Sequence, residues 1–243
     1  MDSSTLCASV IFGLITFLVV FTFHQALKSS GTFAAMAVIW IVMQSGVALA
    51  GYFKNTDTIF PRLLLLVVPP AILLAWLFFA RPGKVLMDRM DIHLLTMIHV
   101  VRAPIEVVLY WSFIDGMVPH EMTFGGGNLD ILSGLSAPCI YYWGVMKNGV
   151  RWRMLVIWNF ACLGLLINAV FRSVLSTPLS FQTFGFEQPN VLAFQFPFVL
   201  LPGVVVPIIL CAHLVVIRSL VKTHWQETRA LNFGRAVINH FFS

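Results

Sequence analysis

The sequence predicts an all-α, polytopic transmembrane bundle of about seven helices, N-terminus outside and C-terminus inside. Three observations carry that expectation. Of 243 residues, 59% are hydrophobic and only 10% are charged, whereas a soluble domain carries about a quarter charged residues. Apolar stretches long enough to cross a bilayer, about 18 residues or more, recur along the chain. The lysines and arginines between those stretches fall mostly on one side once the segments are threaded back and forth.

In chain order the expected spans are 7–27, 32–53, 60–80, 92–116, 130–147, 154–172 and 191–217. The first reads as a span and not as a cleaved signal peptide, because no basic residue precedes its long apolar core. The second is apolar apart from Gln44. The third carries Pro69 and Pro70, and its "FPRLLLLVVPPAILL" faintly echoes "FPFVLLPGVVVPIIL" in the seventh, where Pro202 and Pro207 recur. Prolines in mid-span free backbone carbonyls that a neighbour must satisfy, and such breaks often line a cavity. The fourth, which "GKVLMDRMD" leads in from the interface, is the least obvious because charge interrupts it. Without it, though, the flanking loops would be joined across a highly apolar segment. Residues 1–218 therefore form the membrane domain. The basic tail 219–243 could lie as an amphipathic helix on the inner leaflet.

With the N-terminus outside, only Lys54, Arg62 and Arg172 lie on the outer side and Arg102 lies in the membrane; every other basic residue falls inside. The net charge of +5 is thus explained by topology and needs no nucleic-acid partner. The expected surroundings are the lipid bilayer of an inner (plasma) membrane, a small-molecule ligand, and an assembly in which an oligomer is compatible with the sequence. Two outer loops stand out. In "MVPHEMTFGGGNLD" the glycines lack the strand and the Lys-Ser/Thr of a phosphate loop, so Asn128 or Asp130 reads as the N-cap of the fifth helix. "SVLSTPLSFQTFGFEQPN" is aromatic enough to fold back on the bundle as a cover.

"HLLTMIHVVRAPIEVVLYWSF" (93–113) raises the functional question. His99, Arg102 and Glu106 follow i, i+3, i+7 spacing and share one helical face. A charge at mid-membrane costs about 2.5–3.5 kcal/mol on insertion scales, so that face must look into the bundle, where Arg102 and Glu106 could pair. Gln44 and Asn159 are mid-span polar residues able to join them, and Asn168 and Arg172 sit four apart nearer the outer face. The ligand-binding expectation is therefore Arg102, Glu106, His99, Gln44 and Asn159. Arg102 would supply a fixed positive charge to an anionic or zwitterionic molecule, and Glu106 would orient it or exchange a proton.

His24, His99 and His213 fall at similar depth in the inner third of their spans, so a haem or transition-metal site is the competing expectation; otherwise no cofactor is expected. A non-catalytic assembly subunit is a third. The cysteines fall singly, without CxxC spacing, no lysine lies inside a span, and no nucleophile–base arrangement is readable, so the sequence leans against an enzyme. "GGNLDILSGLSAPCIYYW" (126–143) and "FEQPNVLAFQFPFVLLPGVVVPIILCAHLVVIRSL" (186–220), with the Arg102–Glu106 segment, resemble an uncharacterised group of bacterial polytopic membrane proteins. That resemblance covers the C-terminal two-thirds and implies a bacterial inner membrane; it implies no activity and assigns no residue a role.

Overall fold

The computed structural model describes residues 3–28, 31–54, 62–147 and 149–241, and the side chains of 5–28, 31–53, 62–147 and 149–226. No strand occurs among the described residues. The α-helices are α1 (Ser3–Leu27), α2 (Thr32–Leu49), α3 (Leu64–Phe79), α4 (Arg81–Met87), α5 (Ile92–Met97), α6 (Arg102–Ile114), α7 (Ile131–Cys139), α8 (Trp152–Leu175) and α9 (Val206–Phe241).

In α1, Ala8, Phe12, Ile15, Val19, Phe23 and Ala26 are buried, while Leu14, Phe17, Leu18 and Phe21 between them are exposed. Spacings of three and four put the first set on one face, against the core. The exposed set is as apolar as the buried one. An apolar outer surface is stable against lipid chains and not against water. The protein is an integral membrane protein.

Among the described residues five helices are long and apolar enough to span: Thr5–Leu27, Thr32–Leu49, Ile92–Ile114, Trp152–Leu175 and Leu201–Gln226. A sixth is counted if α3 and α4 form one span; they meet at an 87° bend. At that bend Pro82 lies in the first turn of α4, and Gly83 packs so closely that a Cβ would sit 2.4 Å from the carbonyl oxygen of Leu77. The remaining expected segment, 130–147, is the shorter apolar helix Ile131–Met146. It turns from α to π geometry at Ile140, just past Pro138. The start of the expected third span (60–61) lies outside the described residues. The tail continues as helix α9, but the side chains needed to judge its amphipathicity beyond 226 lie outside them as well.

The segment that charge made hardest to read is the most enclosed: 56% of the best window in Ile92–Ile114 is buried, against 11% for α2. It is not one regular helix. Ile98–Val101 is 3₁₀ between α5 and α6, because Pro104 has no N–H to offer the carbonyl of Val100 and its ring crowds that carbonyl. α1 packs along this composite helix, and α7 and α9 close round it.

The other proline breaks are mended from neighbouring helices. Pro207 leaves the Gly203 carbonyl free within the π stretch Leu201–Val205, and Trp40 Nε1 donates to it at 2.9 Å. Pro69 likewise frees the Leu65 carbonyl, which Gln44 Nε2 approaches at 3.5 Å. Two polar side chains of α2 therefore serve the proline breaks of α3 and of the last span.

Candidate functional site: a buried arginine hub beside an apolar cavity

Arg102 is 1% exposed and stands at the first residue of α6. Its Nε donates to Asp130 Oδ2 at 2.7 Å, and its Nη2 both pairs with Asp130 Oδ1 and donates to the Cys162 carbonyl at 3.0 Å. Nη1 donates to His213 Nε2 at 3.0 Å. Arginine has only donors, so His213 accepts at Nε2 and carries its proton on Nδ1, which donates to Asn159 Oδ1 at 2.9 Å. Four of the five guanidinium N–H groups are thus used within the protein.

The expected Arg102–Glu106 pair is not what forms. The partner is Asp130, supplied from the loop before α7 and bound two-pronged, the geometry that suits guanidinium best. Glycine makes this approach. A Cβ on Gly134, one turn into α7, would lie 2.3 Å from the backbone nitrogen of Ala103, so α7 comes nearly into backbone contact with α6 beside Arg102. Asp130 does hold the N-cap position, but its carboxylate makes no capping bond; the arginine takes it. The expected helix-cap role for Asp130 is corrected accordingly.

Glu106, also 1% exposed, is served by Asn128 instead. Asn128 Nδ2 lies 2.8 Å from Oε1 and 2.9 Å from Oε2, and donates its other hydrogen to the Met122 carbonyl at 3.0 Å. Both carboxylate oxygens share one N–H. Asn128 is held by the glycine loop: Gly127 has φ of 98°, and a Cβ there would also meet the Arg172 guanidinium at 2.9 Å. Arg172 donates to the Gly126 carbonyl at 2.9 Å and to Asn168 Oδ1 at 3.2 Å, while Asn168 Nδ2 donates to the Gly127 carbonyl at 3.2 Å. The Asn168–Arg172 pair is a clamp on this loop, holding its backbone carbonyls.

Arg102, Glu106, Asn128 and Asp130 lie at the wall of a cavity of about 540 Å³ that is otherwise mainly apolar. It sits between α3 and α8, over the start of the last span, and Pro202 and Pro207 line it. The aromatic loop folds back at one end. Gln188 Nε2 donates to the Phe113 carbonyl at 2.9 Å, Val191 N donates to the Met117 carbonyl at 3.0 Å, and Asn190 and Leu192 contribute to the wall. Asn159 lines a separate cavity of about 270 Å³ with His93 and Thr96. The string Arg102–His213–Asn159 therefore stands between the two cavities.

The remaining expected residues fall elsewhere. Gln44 mends the Leu65 carbonyl and lines neither cavity. His99 lies behind the hub, its ring stacked on His213 at 3.7 Å and 14°, with both nitrogens buried and without a partner. His24 is stacked near Phe33. The three histidines do not converge. His99 and His213 present ring faces to one another, not nitrogen lone pairs, and no group of three or more His, Cys, Asp or Glu could hold a metal among the described residues. Sequence reasoning missed Asp130, Asn128 and His213 as the partners of Arg102 and Glu106. A usable signal was present: two small-residue positions, Gly134 and Ala103, allow the close helix contact that brings a carboxylate to the arginine.

Residues 59–221 match the family described as Domain of unknown function (DUF8737). The chain belongs to this family. No curated protein matches it, and no solved structure does. Family membership agrees with the uncharacterised character expected from the sequence and adds no activity.

Proposed function

We propose that this DUF8737 protein is a membrane-embedded binding protein whose pocket receives a small molecule at Glu106 and Asn128, with Arg102 and Asp130 as the rigid support behind them. The observation that supports this most is the uneven use of the two buried charges. Arg102 has its carboxylate and two further acceptors, so it has little left for a ligand. Glu106 has one shared N–H for two oxygens in the wall of a 540 Å³ cavity, a size that suits a small-molecule site. Intramembrane ionisable groups that are not consumed by the fold are the ones kept for ligands or protons. The ligand is therefore held through groups that donate to Glu106, and Arg102 does not act as a bare positive charge for an anion.

We place the protein in a bacterial inner membrane, N-terminus outside, on the loop charges and on the resemblance of 126–143 and 186–220. The string between the two cavities favours a second form of the same reading, in which the molecule is passed across when Arg102–His213–Asn159 parts. Vesicle uptake separates passage from binding alone.

The test is ligand-induced thermal stabilisation of purified wild type, Glu106→Gln and Asn128→Ala against a panel of small amines, alcohols and acids. A ligand present at 100 times its Kd adds about 2.7 kcal/mol of stability. The expected result is a hit among the donors that is lost in both variants while each still folds. Stabilisation that is unchanged in both variants would refute the site.

A further inference from the structure

We infer that the ligand of the Glu106 pocket is a single-chain amphiphilic amine that enters sideways from the bilayer, between α3 and α8, and sets its ammonium group against Glu106. The inference rests on the binding reading above and names its ligand.

The route follows from the walls. Val67 and Ala71 of α3 line the cavity, as do Ile167, Phe171 and Val174 of α8, and all five are exposed at the protein surface. In an integral membrane helix bundle an exposed apolar side chain faces lipid. A cavity that shares its lining with the lipid face opens to lipid. At one end of the lining, the folded-back segment supplies Asn190 and Leu192, both buried. Both flanking helices pack on α9, which with Pro202 and Leu201 forms the back of the crevice. A molecule dissolved in the bilayer reaches this opening directly; its alkyl part exchanges lipid contacts for those of Val67, Leu74, Ile167 and Leu210.

The head group follows from charge and donor count. Among the residues that line the cavity the cation is Arg102 and the carboxylates are Asp130 and Glu106. Arg102 and Asp130 neutralise one another, which leaves the second carboxylate. A cationic head group gives Glu106 the counter-charge that Arg102 gives Asp130, and an anionic one does not. Two acceptors in the same wall are also short of donors. Both oxygens of Glu106 share one N–H of Asn128, and the buried Oδ1 of Asn190, also in the lining, has no partner. An ammonium group offers three donors and no acceptor, which is the complement of such a wall. A cavity of about 540 Å³ is within the range of pockets for small ligands and suits one alkyl chain.

The test uses the full-length protein in phosphatidylcholine vesicles and a long-chain primary amine with a photoreactive diazirine in its tail. Saturable labelling is expected on α3 and α8 near Ala71 and Phe171. Excess dodecylamine should displace it and dodecanoate should not. Glu106→Gln should weaken it by about tenfold or more, equivalent to 1.4 kcal/mol of binding. Ala71→Trp, which fills the opening from the lipid side and leaves the polar groups intact, should block it with an unchanged melting temperature. Labelling spread over all lipid-facing helices, displacement by dodecanoate, or displacement by phosphatidylethanolamine in the vesicle would each overturn the single-chain amine. If the amine probe fails but water-soluble propylamine stabilises wild type and not Glu106→Gln, the lateral amphiphile is refuted and the binding reading survives. If neither compound acts, both are refuted.

Discussion

Among the described residues, two Asp–Arg clusters differ in character. Asp130 meets Arg102 in the interior, with side chains 8% and 1% exposed. Asp88 meets Arg218 and Lys222 at the protein surface, with Asp88 34% exposed. The chemistry is the same and the surroundings decide the consequence. Water screens the outer cluster, so losing a partner there costs little. The inner cluster has no water to fall back on, so each partner is essential to the other. The comparison also explains why Arg102 carries four bonds to protein: a buried guanidinium has to satisfy its donors from the chain itself.

The largest expected effect breaks the inner cluster. Asp130→Ala leaves Arg102 buried and unpaired and should cost about 3–5 kcal/mol, read as a collapse of the melting temperature in detergent. Combining it with Arg102→Leu should recover part of that loss, since replacing both charges by apolar groups is far cheaper than removing one. Next comes the contact that builds the cluster. Gly134→Val drives a side chain into the backbone of Ala103 and should cost about 1–3 kcal/mol, read as a lowered melting temperature.

A smaller effect is expected at the proline breaks. Trp40→Phe removes the donor to the Gly203 carbonyl and should cost about 0.6 kcal/mol or somewhat more, as for other interhelical bonds in membranes; hydrogen exchange near Gly203 should rise.

The smallest belongs to the outer cluster. The hydrogen bond from Arg218, opposed by partial burial and aided by Lys222, holds the Asp88 carboxyl below its ordinary range. A depressed folded-state pKa contributes stability that is complete above the unfolded value, about 3.9. That stability is lost as pH falls through the folded value. Asp88→Asn should therefore change stability by less than about 1 kcal/mol at neutral pH. It should also flatten the acid limb of a pH titration of the melting temperature and remove part of its salt dependence.

The helices were legible because apolar run length is a property of the chain itself. Charge in the fourth segment was legible as burial, since Arg102 and Glu106 could not face lipid. Their partners were not. Asn128 and Asp130 read locally as alternative caps of the fifth helix; only the approach of α7 to α6 at Gly134 and Ala103 turns Asp130 to the arginine and fixes Asn128 beside Glu106. His99 illustrates the limit from the other side. Its i, i+3 spacing to Arg102 placed it on the right face, yet the 3₁₀ turn before Pro104 and the ring of His213 direct it behind the hub and away from the cavity. Similar depth of His24 and His213 carried no information about azimuth, so the three histidines shared a level without sharing a site.

The account separates a carboxylate spent on the fold from one kept for a ligand, and thermal unfolding of Asp130→Asn beside Glu106→Gln tests that separation most directly. The structure predicts a large loss of stability in Asp130→Asn and a melting temperature near that of wild type in Glu106→Gln. Equal losses in the two variants, or a destabilised Glu106→Gln beside an unaffected Asp130→Asn, would contradict it.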